Sequence, residues 1–307
     1  MFKRLLVPLD GTPESVTALP LARTIDVDTD ATLTLFRAVP AGEQADALAL
    51  DHARRYLTGV ITYLVGTNAD HVASAVVQGE DIATTIVAQA SASASDLIVM
   101  ATHARHGLAR VAHESVAMQV LRLSPLPLLL VAPGEVGEPR LRTILAPVDG
   151  TSAGESALES VVALAQASGA EIALLRIVVP TPVNGYDPLL GDYAGAEVRL
   201  DFDKADLLSA QHYIDECVGR LCALGVKAQG FAVFGGASDT ILEYAERIDA
   251  DLIAMSTHAL SGMARATLGS VADVVLQQAH RPVLLIRRDT LYQRLDHHHA
   301  AAANLSL

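Results

Sequence analysis

The chain of 307 residues has only two cysteines, Cys217 and Cys222. Five residues apart on a helix, they point about 140° away from each other. That arrangement suits neither a zinc pair nor a disulfide, and the two read as small apolar side chains on a helix. Sparse cysteine fits a cytoplasmic location. The chain also lacks any Lys/Arg-rich run: 22 basic residues stand against 35 acidic ones, a formal net charge of -13. An acidic surface repels phosphate backbones, so nucleic acid is not expected as a partner. No apolar run approaches the ~18 residues of a membrane-spanning helix. The opening MFKRLLVPLDG resembles a leader only superficially. Its apolar run is short and stops at Asp10, and it reads as a strand.

Hydrophobic residues make up 51% of the chain, enough for two sizeable cores, and at roughly 100–200 residues per domain two domains are expected. An internal repeat agrees. DLIVMATHARHGLARVAHESVAMQVLRLSPLPLLLVA, from Asp96, returns as DLIAMSTHALSGMARATLGSVADVVLQQAHRPVLLIRR, from Asp251. Asp96, Met100, His103, Arg110, Ser115 and Pro127 recur 155 residues later as Asp251, Met255, His258, Arg265, Ser270 and Pro282. Repeats of this kind set the architecture.

Each copy closes a strand–helix alternation. In the first, strands are expected over 3–9, 31–39, 71–77, 97–101 and 126–131, with helices from Thr12 to Ile25 (bent at Pro20), 45–65, 82–91 and 115–123. In the second, strands are expected over 141–148, 172–179, 226–233 and 252–255, and after Pro282. Ser152 with Glu155 reads as a capping box, 180–197 as a long loop, 198–224 as a long helix, and Ser256 to His258 as a small polar loop. Near-continuous apolar strands alternating with helices specify a parallel sheet covered on both faces. The expected fold is α/β: two tandem doubly wound five-stranded domains over 1–134 and 140–288, joined by a linker at 135–139. The tail from 289, with His297, His298 and His299, is expected to be disordered.

In an open α/β sheet, ligands bind beyond the carboxyl ends of the strands where strand order reverses. Two loops of each half meet there. In the second half, Gly269 and Ser270 open a helix whose free N–H groups and dipole favour an anion. Ser270 either caps that helix with Asp273 or donates to a phosphate; a capped helix with no ligand explains the motif equally. Asp149 reads as a turn residue, or as a ligand for a ribose hydroxyl or for magnesium bridging phosphates. In the first half Glu114 stands at the place of Gly269, and a carboxylate there repels phosphate. Arg105, His106, Arg110 and His113 offset it in part. The anion site is therefore expected in the second half.

The motifs VPLDGTPES and APVDGTSAGES, the two repeat segments quoted above, and the terminal strands PLPLLLVA and RPVLLIRR resemble the universal stress protein family, over residues 1–134 and 140–288. The resemblance implies a Rossmann-like, adenine nucleotide alpha hydrolase-like fold. It also implies domains paired through their last strands, here as an internal pseudo-dimer, with a homodimer of chains as a further option. One branch of the family binds ATP and carries G-x2-G-x9-G-[S/T]. In the second half those positions are Ser256, Ala259, Gly269 and Ser270, so the final pair alone is intact. In the first half they are Ala101, Ala104, Glu114 and Ser115. The family's adenine and ribose contacts map to Asp149, Ile177, Met255 and Val271, and more faintly to Asp10, Ala38, Met100 and Val116. Ala259 resists positive φ, so a loop needing it would be strained.

The expectation is a regulatory protein binding ATP or a related adenine nucleotide mainly in its second half, with magnesium as companion and an unknown protein partner. His258 reads as a general base near the phosphates or as a loop hydrogen-bonding residue, and hydrolysis is expected to be slow and incidental at most. The alternative is a nucleotide-free interaction module acting through its surface and tandem pairing. An ATP-cleaving ligase or adenylyl transferase would carry a Ser-Gly-Gly phosphate loop after the first strand, where this chain has Asp10-Gly11-Thr12 and Asp149-Gly150-Thr151.

Overall fold

The computed structural model describes residues 2–41, 47–64, 71–102, 115–132, 139–151, 154–180, 191–257 and 269–287, with the backbone alone for 64, 156 and 191–203. Of the expected linker only Pro139 is among them, and the tail lies outside them.

The first half runs β1 (Arg4–Pro8), α1 (Pro13–Val16), α2 (Leu19–Thr29), β2 (Thr32–Pro40), α3 (Ala47–Leu64), β3 (Val72–Gly79), α4 (Ile82–Ala92), β4 (Leu97–Ala101), α5 (Val116–Leu123) and β5 (Leu128–Val131). The second half repeats the order. It has β6 (Thr143–Val148), a 3-10 turn (Gly154–Ala157), α6 (Leu158–Ser168), β7 (Glu171–Val178), α7 (Gly191–Ala223) and β8 (Ala228–Phe234), then α8 (Ala237–Arg247), β9 (Leu252–Thr257), α9 (Ser270–Gln278) and β10 (Val283–Arg287).

All ten strands form one sheet in the order β3-β2-β1-β4-β5-β10-β9-β6-β7-β8. Each half is parallel, with its order reversing between its first and fourth strands, β1 and β4 or β6 and β9. The halves join through the antiparallel pairing of β5 with β10, Leu129 opposite Leu284. Strands such as LIVMA, in which every residue is buried, follow from a sheet covered on both faces. Both apolar layers cross the seam. On one face Leu129 and Val131 share a core with Leu284 and Ile286, and on the other Leu128 and Leu130 share one with Val283 and Leu285.

Three expectations are corrected. The first helix is not one bent rod: α1 ends at Val16, and Pro20 sits in the first turn of α2, where its missing N–H has no intrahelical acceptor to lose. Helix α7 begins at Gly191, seven residues before the expected start. Its apolar stripe becomes legible only from Ala210, where Ala210, Ile214, Cys217 and Leu221 recur at helical spacing and are buried. Ser256 and Thr257 belong to β9 rather than to a loop, because β10 continues the ladder as far as Arg287 opposite Thr257.

The repeated aspartates Asp96 and Asp251 turn out to be scaffold. Asp96 accepts the backbone N–H groups of Lys3 and Arg4 at 2.8 and 3.0 Å. Asp251 accepts those of Arg142 and Thr143 at 2.8 and 2.9 Å. Each carboxylate thus fixes the entry of its half's first strand beside the fourth.

Candidate nucleotide crevice

In the first half β1 ends in a tight turn. Oδ1 of Asp10 accepts both the N–H of Thr12, at 2.8 Å, and its hydroxyl, at 2.6 Å. Gly11 bridges them at φ 87°, a left-handed conformation that favours glycine. The Thr12 hydroxyl in turn accepts the N–H of Ser15 at 3.2 Å and so caps α1. Around this turn lies a cavity of about 300 Å³. All six first-half candidates line it: Asp10 from the turn after β1, Ala38 from β2, Met100 and Ala101 from β4, and Ser115 and Val116 from the start of α5. Ile82 and Ile86 of α4 close it with apolar surface. Residues up to 106 positions apart in sequence therefore meet at the point of strand reversal.

The second half repeats the turn. Oδ1 of Asp149 accepts the N–H and hydroxyl of Thr151 at 2.9 and 2.6 Å, and Gly150 has φ 78°. Ile177 and Met255 are buried, as Met100 is. Ser256 and Val271 are half-buried and Ser270 is exposed. His258 and Ala259 lie outside the described residues, as do Ala104, Arg105, His106, Arg110, His113 and Glu114.

The halves differ at three points. Ser115 caps α5, its hydroxyl accepting the N–H of Met118 at 3.3 Å. In the second half the cap is Gly269 instead, with no side-chain bond, and Ser270 is the first helical residue. The expected capping by Ser270 is thus corrected, because α9 begins one residue earlier than α5 relative to the repeat. The first N–H groups of α9 consequently receive no side-chain acceptor from their cap. Second, Gly154 takes the place of Ser15, and a Cβ there would stand 2.0 Å from Oδ1 of Asp149. Third, Glu155 does not fold back on the loop as a capping box requires. It accepts the Tyr213 hydroxyl and an N–H of Arg220, each at 2.8 Å. The other member of that expected box, Ser152, lies outside the described residues.

Two further residues escaped the sequence reading. Arg37 lies over the first turn, 2.4 Å from where a Cβ on Gly11 would be, and Arg176 lies over the second, 3.5 Å from a Cβ on Gly150. They hold corresponding places, one residue before Ala38 and Ile177, and their recurrence 139 residues apart was the signal available. Arg37 rests on the Tyr56 ring, 5.0 Å from its centroid. Among the described residues no group of three or more His, Cys, Asp or Glu side chains is placed to hold a metal ion.

The family model described as Universal stress protein family matches residues 1–132 and again 140–287. Universal stress protein MJ0531 of Methanocaldococcus jannaschii is 30% identical over 152 residues, 50% of this chain and 85% of its own length. Two solved structures share the fold across nearly the whole length. A functionally unknown protein, PA1789 from Pseudomonas aeruginosa PAO1, has a TM-score of 0.66 at 20% identity, covering 95% of each chain. A universal stress protein from Archaeoglobus fulgidus DSM 4304 has a TM-score of 0.62 at 16% identity, covering 93% of this chain and 96% of its own.

Proposed function

This chain belongs to the universal stress protein family, matched twice along its length, and from that premise we propose that it is a stress-response regulatory protein that takes an adenine nucleotide, mainly in the crevice of its second half. The observation that carries the reading is the first-half cavity, in which Asp10, Ala38, Met100, Ala101, Ser115 and Val116 converge. It pairs an apolar lining with the Asp10 carboxylate and the hydroxyls of Ser15 and Ser115. That composition suits a purine ring against Met100 and Ala38 and a ribose hydroxyl donating to Asp10, and the cavity's size falls at the lower end for small-molecule sites, about 300–1,000 Å³.

The second half carries the same walls in Asp149, Ile177, Met255, Ser256 and Val271, and it is the better place for phosphate. The cap of α9 supplies no side-chain acceptor to its first N–H groups, and a helix start of that kind favours an anion. At α5 the Ser115 hydroxyl already occupies one such donor. Gly269 and Ser270 would face the phosphates. Magnesium would arrive with the nucleotide, held chiefly by phosphate oxygens with Asp149 as the nearest protein carboxylate of the turn. The protein acts by binding and by the surface it then offers a partner, with any hydrolysis slow.

Titration with ATP and magnesium, by calorimetry on protein freed of nucleotide, tests this. Gly269 has φ -57°, and a Cβ there meets nothing within 4 Å among the described residues, so Gly269→Glu should keep the fold. The expected result is about one site per chain, lost in the variant. Equal binding by both proteins would misplace the site, and no binding by wild type would end the nucleotide reading.

A further inference from the structure

Strand β3 is one outer edge of the sheet and pairs with β2 alone among the described residues. The N–H of Leu33 bonds the carbonyl of His71 and the N–H of Ala41 that of Gly79, both at 2.9 Å. In a parallel ladder alternate residues point both backbone groups to the same side. Val72, Ser74, Val76 and Gln78 therefore present their N–H and C=O groups outward. Sheet edges are ordinarily blunted by charge, proline or a bulge. VASAVVQG, the whole of β3, has no charged residue and no proline, and neither has α4, IATTIVAQASA. Between this edge and α4 runs an open groove of about 520 Å³, walled by Val77 and Gln78 on one side and Thr84, Ala88 and Ala92 on the other, with Glu80 and Asp81 at one end.

We propose that this groove takes an extended segment of another protein, added antiparallel to β3 as an eleventh strand, with apolar side chains at alternate positions and a basic residue at its N-terminal end beside Glu80 and Asp81. The inference is independent of nucleotide binding. A strand added at an edge gains main-chain hydrogen bonds, and its alternate side chains supply specificity. Here Ala75 and Val77 lie on the α4 side while Val72 and Val76 pack on the α3 side, so every second side chain of the added strand stands over the groove. A second copy of β3 would offer only Ala73, Ala75 and Val77 to that space, too little to fill it. The two carboxylates set the polarity. Asp81 caps α4 by accepting the N–H of Thr84 at 2.7 Å, and that bond together with the Thr84 hydroxyl holds its carboxyl below the usual range. From Tyr56 to Ala104 the chain has no lysine or arginine, so no neighbour in that stretch competes for the pair. Because β3 runs toward Glu80, an antiparallel segment brings its N-terminal end there.

The probe is a fluorescent peptide, Lys-Thr-Val-Thr-Leu-Thr-Val-Thr, titrated with the full chain by anisotropy. Ser74→Pro removes one outward donor without touching the bonds to β2, at an edge where proline is tolerated. Ala88→Lys puts a charge in the groove from an exposed position of α4 and guards against misfolding of the first variant. Saturable binding is expected, weakened tenfold or more by either variant, and at least fivefold when the peptide's lysine is replaced by glutamate. No saturable binding, equal binding of a scrambled peptide of the same composition, or indifference to both variants would overturn the proposal. So would concentration-dependent self-association of wild type that Ser74→Pro abolishes, since the occupant would then be a second copy.

Discussion

Replacing Glu155 by valine, the residue that stands at the matching position 16 of the first half, gives the sharpest test of the second half's construction. Glu155 lies in the 3-10 turn just after the Asp149 turn, and its carboxylate takes the Tyr213 hydroxyl and Arg220 from α7. The side chain of Arg220 is 60% exposed and that of Glu155 25%, so their ion pair contributes under about 1 kcal/mol. The larger loss is the part-buried Tyr213 hydroxyl left without its acceptor, which costs roughly 1–3 kcal/mol. Glu155→Val should therefore destabilise by about 1–3 kcal/mol, mostly through Tyr213. Tyr213→Phe removes the donor together with the bond and should cost only about 0.5–1.5 kcal/mol. The double variant should cost less than the two singles added, as for any contacting pair. Urea unfolding followed by circular dichroism suits a chain without tryptophan. Burial and then Glu155 raise the Tyr213 hydroxyl's pKa above its ordinary value. The folded state thus holds that proton more tightly than the unfolded one, and this part of the stability is present below the ordinary tyrosine value of about 10 and fades as pH rises above it. Tyr213→Phe should flatten that alkaline loss. A Glu155→Val protein within about 0.5 kcal/mol of wild type, or a Tyr213→Phe costlier than Glu155→Val, refutes the reasoning. The first half offers a natural comparison, since with Val16 in place the Tyr56 hydroxyl is buried without a hydrogen-bond partner among the described residues.

Gly154→Ala would place a Cβ 2.0 Å from Oδ1 and 2.7 Å from Cγ of Asp149, forcing the carboxylate off Thr151. The expected outcome is a loss of about 1–2 kcal/mol in urea unfolding and a tenfold or greater loss of ATP affinity by calorimetry; unchanged values for both would show that Gly154 does not set the Asp149 rotamer. Asp26 is buried beside Arg23, and burial raises its pKa against the opposing pull of that guanidinium. The folded state therefore binds its proton more tightly, and stability at this site is gained as pH falls through the raised value toward 3.8 and lost as pH rises. The unfolding free energy of wild type minus that of Asp26→Asn should grow over that acid window, and a flat or falling difference would sink the assignment.

What the sequence made legible follows from what burial does to composition. Strands buried on both faces must be apolar throughout, so LIVMA and LIAMST stood out and their 155-residue recurrence exposed the tandem plan. Where polar residues are paired by the ladder, composition misleads: Thr257 is buried in β9 because β10 reaches it. Composition also does not say which of Gly269 and Ser270 caps a helix, since that turns on a one-residue shift of the start. The capping-box reading assigned Glu155 to a neighbour three residues away. Its actual partners lie 58 and 65 residues on, at Tyr213 and Arg220, and no local pattern carries that pairing. The arginines over the two turns were legible in principle, as LFRAV against LLRIV, but only once the 139-residue spacing of the early strands was set beside the 155-residue spacing of the late ones.

That change of spacing also locates where the halves part company. The added residues fall between β7 and β8, where α7 runs from Gly191 to Ala223 against the shorter Ala47–Leu64 of α3. The scaffold around this insertion is conserved between halves: Asp96 and Asp251 hold the first strands alike, Met100 and Met255 are both buried, and Ala53 and Leu57 are matched by buried Ala210 and Ile214. Three of the differences lie around the second crevice. Gly154 replaces Ser15 against the turn aspartate, Glu155 replaces Val16 and ties that turn to α7, and Gly269 replaces a side-chain cap at the helix start. These three changes meet at the carboxyl ends of β6 and β9, and through Glu155 one of them joins the second turn to the lengthened helix α7, a link the first half does not have at Val16.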